Sequence, residues 1–168
     1  MTPRLVASGG LVIGAALGMA GTFVPSAPAR GLLWGLDGIA LIVAAALLGI
    51  HCFRKGDDVI AAGFLVFVAG QALILSSAAM DLAASGPTFG AGTGLWAASL
   101  ALLSAPRVAP LWARITGVIA ALLFAIVAAR LFLGHALTPL SQPLPYFAYP
   151  FLVVTLLGWA WERFRAAA

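Results

Sequence analysis

Gly31 to Phe53 reads GLLWGLDGIALIVAAALLGIHCF, and its interpretation decides the fold. Apart from Asp37 near its start and the pair His51-Cys52 at its end, the run is apolar or glycine. It exceeds the roughly 20 residues that an α-helix needs to cross a bilayer. Leu, Ile, Val and Ala follow one another without the polar alternation of a barrel strand, so the stretch predicts a transmembrane helix.

The rest of the chain agrees. Of 168 residues, 63% are hydrophobic and 8% charged, against about 25% charged in soluble domains. So few charges cannot cover a water-soluble surface. The length suits one domain, here a single integral membrane domain over 1–168 with about six helices of spanning length. The predicted fold is all-α and polytopic. Eight Arg and one Lys against five acids give a net charge of +4. These charges are scattered between apolar runs, as membrane-end anchors are, and no basic block points to nucleic acid. One Cys allows neither a disulfide framework nor a CxxC metal motif. The absence of Asn, with abundant Ala, Gly and Arg, points to a bacterial chain and hence to the cytoplasmic (inner) membrane.

Outward from the central run, Leu5 to Val24 is the first span, closed by Pro25 and Pro28. Its apolar run is long and Ala27-Pro28-Ala29 is a poor cleavage site, so a retained helix is expected rather than a signal peptide. Gly10, Gly14 and Gly18 lie four apart on one face, a seam for close helix packing. Arg54 to Asp58 form a charged turn before the third span, Val59 to Met80, in which Gly63, Gly70 and Ser77 recur at seven. Asp81 and the Ser85 to Thr93 stretch are expected to form a loop, and span four runs from about Gly94 to Ala105, borrowing residues from that loop. Pro106 to Pro110 turns the chain into span five, Leu111 to Ala136. Thr138 to Pro145 leads to span six, Tyr146 to Trp161. The aromatic, proline-rich segment Gln142 to Pro150 is expected to anchor this last helix at the interface.

Six spans with the N-terminus inside place Arg4, Arg54, Lys55, Arg107, Arg114, Arg163 and Arg165 on the inner side, and Arg30 and Arg130 on the outer. This positive-inside bias predicts cytoplasmic N and C termini. Trp34 and Trp96 then fall at the outer interface, and Trp112, Trp159 and Trp161 at the inner one, as an aromatic belt. Ser26-Ala27-Pro28, four residues, then Leu33-Trp34 recurs as Ser104-Ala105-Pro106, four residues, then Leu111-Trp112. Gly14 and Gly92 pair at the same offset. Halves 1–80 and 81–168 would each hold three spans, a candidate 3+3 inverted repeat of the kind found in transporters.

An intramembrane acid is by default a functional-site hypothesis with a partner to be named. Asp37 lies about six residues into its span, on the order of 9 Å deep, and Arg130 about seven residues from the outer end of span five, roughly 10 Å deep. An Asp37 and Arg130 pair is therefore expected, supported by Ser76, Ser77, Gln71 and Asp81 in an outer-half polar layer. Such a pair can fix helix register or bind a proton or substrate, and the register role is favoured. His51 and His135 fall at opposite faces and make only weak metal ligands; Met80 with His135 is a remote haem candidate. No HExxH, P-loop or GxSxG motif occurs, and no cofactor is expected.

Three functions follow in order. The first is a non-enzymatic scaffold, accessory subunit or oligomer-former, whose partners are membrane lipids, further copies or another membrane protein. The second is a small-solute or proton transporter or channel component using the Asp37/Arg130 layer. A membrane enzyme or haem-binding protein comes third.

Overall fold

The computed structural model describes residues 3–78, 80, 82–135 and 143–165. These form six helices: α1 (Pro3–Phe23), α2 (Ala27–Phe53), α3 (Asp58–Ala78), α4 (Leu82–Ser104), α5 (Leu111–Phe132) and α6 (Pro143–Arg165). Among the described residues the fold is all-helical. Helices α1, α2, α3 and α5 are long and apolar enough to cross a membrane, while α6 offers a shorter apolar stretch, Phe147–Glu162.

The backbones pack in a closed ring. Each helix lies against its sequence neighbours, α6 returns to α1, and no other pair of helices among the described residues comes into backbone contact. Short antiparallel connections dictate this order. Two of them end on glycine. Gly56 (φ +79°) and Gly134 (φ +83°) adopt the left-handed conformation. The N–H groups of Gly56 and Asp57 bond the carbonyls of Phe53 and Cys52, and those of Gly134 and His135 bond Leu131 and Arg130. Both arrangements are Schellman closures that satisfy the last carbonyls of a helix. Helix α4 ends differently, because Arg114 Nε and Nη2 bond the carbonyls of Ser104 and Ala105 at 2.8 and 3.1 Å. At its start, α2 carries Pro28 in the first turn, where a missing N–H is harmless.

Several expected boundaries shift: α2 starts at Ala27 rather than Gly31 and α5 ends at Phe132 rather than Ala136. The segment Ser85 to Thr93, expected as a loop, is helical and forms the first half of α4. Its small residues pack rather than turn: a Cβ on Gly92 would lie 2.9 Å from Ile74 and 3.1 Å from the Gly70 carbonyl, while Thr93 Oγ1 bonds its own helix at Phe89 and Gly90. Pro87 lies in this early part of α4. Helix α6 also starts early, at Pro143; Thr138 to Gln142 lie outside the described residues.

Inside the ring, aromatic side chains pack in two groups. Phe67 stacks on Trp96 at 5.9 Å, Trp96 meets Phe124 edge-on at 5.1 Å, and Phe64 meets Trp159 edge-on at 5.3 Å. The last contact joins α3 and α6 across the interior. Trp96 and Trp159 are therefore core residues, 5% and 1% exposed, and not members of an interfacial belt. Trp34, Trp112 and Trp161 are exposed. Trp34 packs on Gly21 of α1 and Trp112 on Gly158 of α6, so the two repeated Leu-Trp motifs have different surroundings. In a 3+3 repeat, the counterpart of α1 would be α4.

Large apolar side chains lie exposed on the outer faces of α1, α2, α3, α5 and α6. Ile39 and Leu122 are 60% and 62% exposed, and Ile13, Leu65 and Ile115 are similarly uncovered. Small residues bring the helices together beneath them. Gly10 lies under Ala44, and Gly63 under Leu103, where Ser99 Oγ donates to the Gly63 carbonyl at 2.8 Å. A Cβ on Gly70 would sit 2.9 Å from Trp96 Cδ1 and 3.1 Å from the Gly92 carbonyl, whereas one on Gly35 meets nothing within 4 Å.

Helix propensity alone favours Ala over Gly by about 1 kcal/mol, and overpacking costs about 1–3 kcal/mol. Thermal unfolding in detergent should therefore show Gly70→Ala destabilised and Gly35→Ala unchanged or stabilised. Equal behaviour of the two would contradict the close α3–α4 approach.

Candidate functional site

Among the described residues, Asp37 is the one expected polar site residue that the ring turns inward with a partner from another helix. Tyr149 Oη donates to Asp37 Oδ2 at 3.4 Å, longer than the usual O–H···O range. The bond joins α6 to α2, two helices that are not neighbours in the ring. It passes over α1 at Gly18. A Cβ there would overlap the Tyr149 hydroxyl and lie 2.7 Å from Asp37 Oδ2, and one on Gly14 would lie 3.3 Å from Oδ1. The four-residue glycine spacing thus does two jobs. At Gly10 it seats a neighbouring helix, and at Gly14 and Gly18 it clears room for an acid and a phenol. The Gly18 carbonyl also accepts from Trp34 Nε1 at 3.3 Å and Thr22 Oγ1 at 3.0 Å.

Asp37 is 5% exposed, and its Oδ1 has no hydrogen-bond partner among the described residues. Arg130 is not that partner. It is exposed in the last turn of α5, and α5 packs on α4 and α6, whereas α2 packs on α1 and α3. The expected pair fails because equal depth fixes height alone. The order of six helices puts α2 and α5 on opposite sides of the ring.

The expected supporting layer divides. Ser77 is buried, but its hydroxyl donates to the Ile74 carbonyl of its own helix at 2.7 Å, and Ser76 is exposed. Gln71 is 2% exposed with Oε1 unpartnered. Asp81 lies outside the described residues. His51 sits near the end of α2 and His135 just beyond α5, at opposite ends of the bundle, and Met80 is exposed. No group of three or more His, Cys, Asp or Glu that could hold a metal ion occurs among the described residues.

Tyr149 belongs to the aromatic, proline-rich segment expected to anchor α6 at the interface, and the structure directs its hydroxyl to Asp37 instead. Its spacing to Leu152, Leu156 and Trp159 was the available signal. Those residues are 0%, 3% and 1% exposed, and Tyr149 lies on the same i, i+3, i+7 stripe. Its hydroxyl is therefore carried toward the interior. Trp96, expected at the outer interface, is instead buried, and its Nε1 has no partner among the described residues. Chemically, the interior offers a carboxyl oxygen, an amide oxygen and an indole N–H without partners among the described residues. No family model, curated protein or solved structure matches the chain.

The meeting over Gly18 predicts a coupled pair of substitutions. Tyr149→Phe should lower stability by about 0.6–2 kcal/mol, the range for interhelical hydrogen bonds in membranes. Gly18→Ala should cost more in the parent than in the Tyr149→Phe background, where the hydroxyl no longer blocks the new methyl. A double-mutant cycle should give a coupling of at least about 1 kcal/mol; additive effects would exclude the contact.

Proposed function

We propose that this chain is a multi-pass integral membrane protein with six transmembrane helices, acting without catalysis as a scaffold, accessory subunit or oligomer-former. The observation that carries this reading is the aromatic layer that fills one level of the ring. Phe64, Phe67, Trp96, Phe124 and Trp159 are all buried, with Phe64 against Trp159 and Phe67 and Phe124 against Trp96, so at their level the ring is packed with side chains where a channel would need a continuous water path. The connections 24–26, 54–57 and 105–110 are too short to hold an extramembrane domain. The exposed apolar side chains of α1, α2, α3, α5 and α6 support lipid contact.

Orientation follows from charge. Arg54, Lys55, Arg107, Arg114 and Arg165 belong to the end of the ring that holds the α2–α3 and α4–α5 turns, and Arg30 and Arg130 to the other. The positive-inside rule then places the termini in the cytoplasm, and the Arg- and Ala-rich, Asn-free composition supports a bacterial inner membrane. Arg30 over Trp34 at 5.6 Å and Arg165 over Trp161 at 5.9 Å suit headgroup-level anchors at the two faces. The 3+3 repeat remains part of the proposal through its sequence recurrence and the two arcs of three helices.

A transport role has one observation in its favour, the buried and incompletely partnered Asp37. Ion flux into proteoliposomes separates the two. The parent protein should be no leakier than protein-free vesicles, and native mass spectrometry of the same preparation should show a second copy or a partner subunit. Flux above the protein-free level that Asp37→Asn removes would overturn the subunit reading in favour of transport.

A further inference from the structure

Three buried polar atoms without partners among the described residues fall within a short height of the ring. Asp37 Oδ1, Gln71 Oε1 and Trp96 Nε1 come from three successive helices, α2, α3 and α4. Their register is set by close contacts. Gly38 faces the Leu75 side chain, so Asp37 is level with Leu75. Gln71 is one turn of α3 away, about 6 Å along the axis. Gly70 faces Trp96 Cδ1, which puts the indole level with Gln71.

These side chains also share a direction. Phe64, Phe67 and Gln71 lie at i, i+3 and i+7 on one stripe of α3. Phe64 reaches Trp159 across the ring and Phe67 stacks on Trp96, so this stripe looks inward. Gln71 is its next member beyond the aromatic layer. Asp37 looks inward as well, since its carboxyl meets Tyr149 from α6.

The charge balance at this level of the ring is incomplete. A buried charge is ordinarily paired or coordinates a metal. Arg130 is exposed on the far side of the ring, and no Lys, Arg or His contact to Asp37 occurs among the described residues. Oxygen atoms of a carboxylate and an amide suit hard cations. One carboxylate balances one positive charge, whereas a divalent ion would leave a net charge buried in a low-dielectric interior. Trp96 is stacked on Phe67 and meets Phe124 edge-on, which leaves little free ring face for an organic cation. Its N–H seeks an acceptor, which a water held by an ion supplies.

We propose that these three atoms, facing inward from successive helices, bind one partly hydrated alkali cation, with Asp37 Oδ1 and Gln71 Oε1 as ligands and a water between the ion and Trp96 Nε1. The site goes beyond the subunit reading and stands whether or not the chain conducts ions, because occupancy and flux are separate readouts.

Binding of radiolabelled sodium or rubidium to the full chain in lipid nanodiscs tests it, with choline as the inert balancing cation. The parent should show saturable binding of about one ion per chain. Asp37→Asn, which keeps the shape and an acceptor for Tyr149, should weaken it at least about tenfold, the effect of roughly 1.4 kcal/mol. Gln71→Leu should weaken it too, and Asp58→Asn, on the exposed start of α3, should leave it unchanged. Absence of saturable binding to the parent at any pH at which it stays folded would overturn the site, with a proton as the sole occupant of Asp37. Equal binding by folded Asp37→Asn, or by Gln71→Leu if Asp37→Asn does not fold, would also overturn it.

Discussion

Tyr149 and Asp37 come from helices on either side of α1, and they meet because Gly18 places no side chain between them. That single vacancy couples three helices at the point where the ring closes. Helix α1 must lie against both α2 and α6, and a larger residue at Gly18 would displace either the phenol or the helix. The bond is long, so its strength is modest. Its specificity is considerable, since an alternative register of α1 would leave a carboxyl and a hydroxyl unpaired in an apolar interior.

The remaining interior is organised by size. On one side of the Asp37 level the aromatic residues fill the ring, with Phe64 and Trp159 bridging helices whose backbones do not touch. Between neighbouring helices, glycine and hydroxyl residues let backbones approach, as where Gly70 and Gly92 each lie within 3.1 Å of the other's carbonyl when a Cβ is placed on them. Thr116 and Thr155 add a hydroxyl contact at 3.0 Å between α5 and α6. Lipid tails and Leu side chains are about equally apolar, so packing of this kind, together with a few interhelical hydrogen bonds, supplies the specificity that the hydrophobic effect supplies in water.

Helix number and most helix ends were legible in the sequence, because Pro, Gly and charged residues punctuate long apolar runs. Gly56 and Gly134 follow the ends of α2 and α5 for a local reason, the left-handed closure. Ser85 to Thr93 was misread because Gly, Ser, Thr and Pro favour turns in water, yet the same small residues pack well between helices. Depth along each helix was legible too, and it placed Asp37 in one half of its span. What sequence could not supply was the position of each helix around the ring. Arg130 matches Asp37 in height and lies across from it, while Tyr149 reaches it from α6. Trp96 and Trp159 were misplaced for a related reason, since tryptophan near a span end suits an interface and a core equally well until the neighbouring helices are known.

The central claim is that Asp37 is partnered by Tyr149 across Gly18. Solid-state NMR of the isotopically labelled chain in lipid bilayers addresses it directly. A through-space cross-peak between the Asp37 carboxyl carbon and Tyr149 Cζ is expected, with none to the Arg130 guanidinium carbon. A cross-peak to Arg130 in place of Tyr149 would contradict both the ring order and the site built on it.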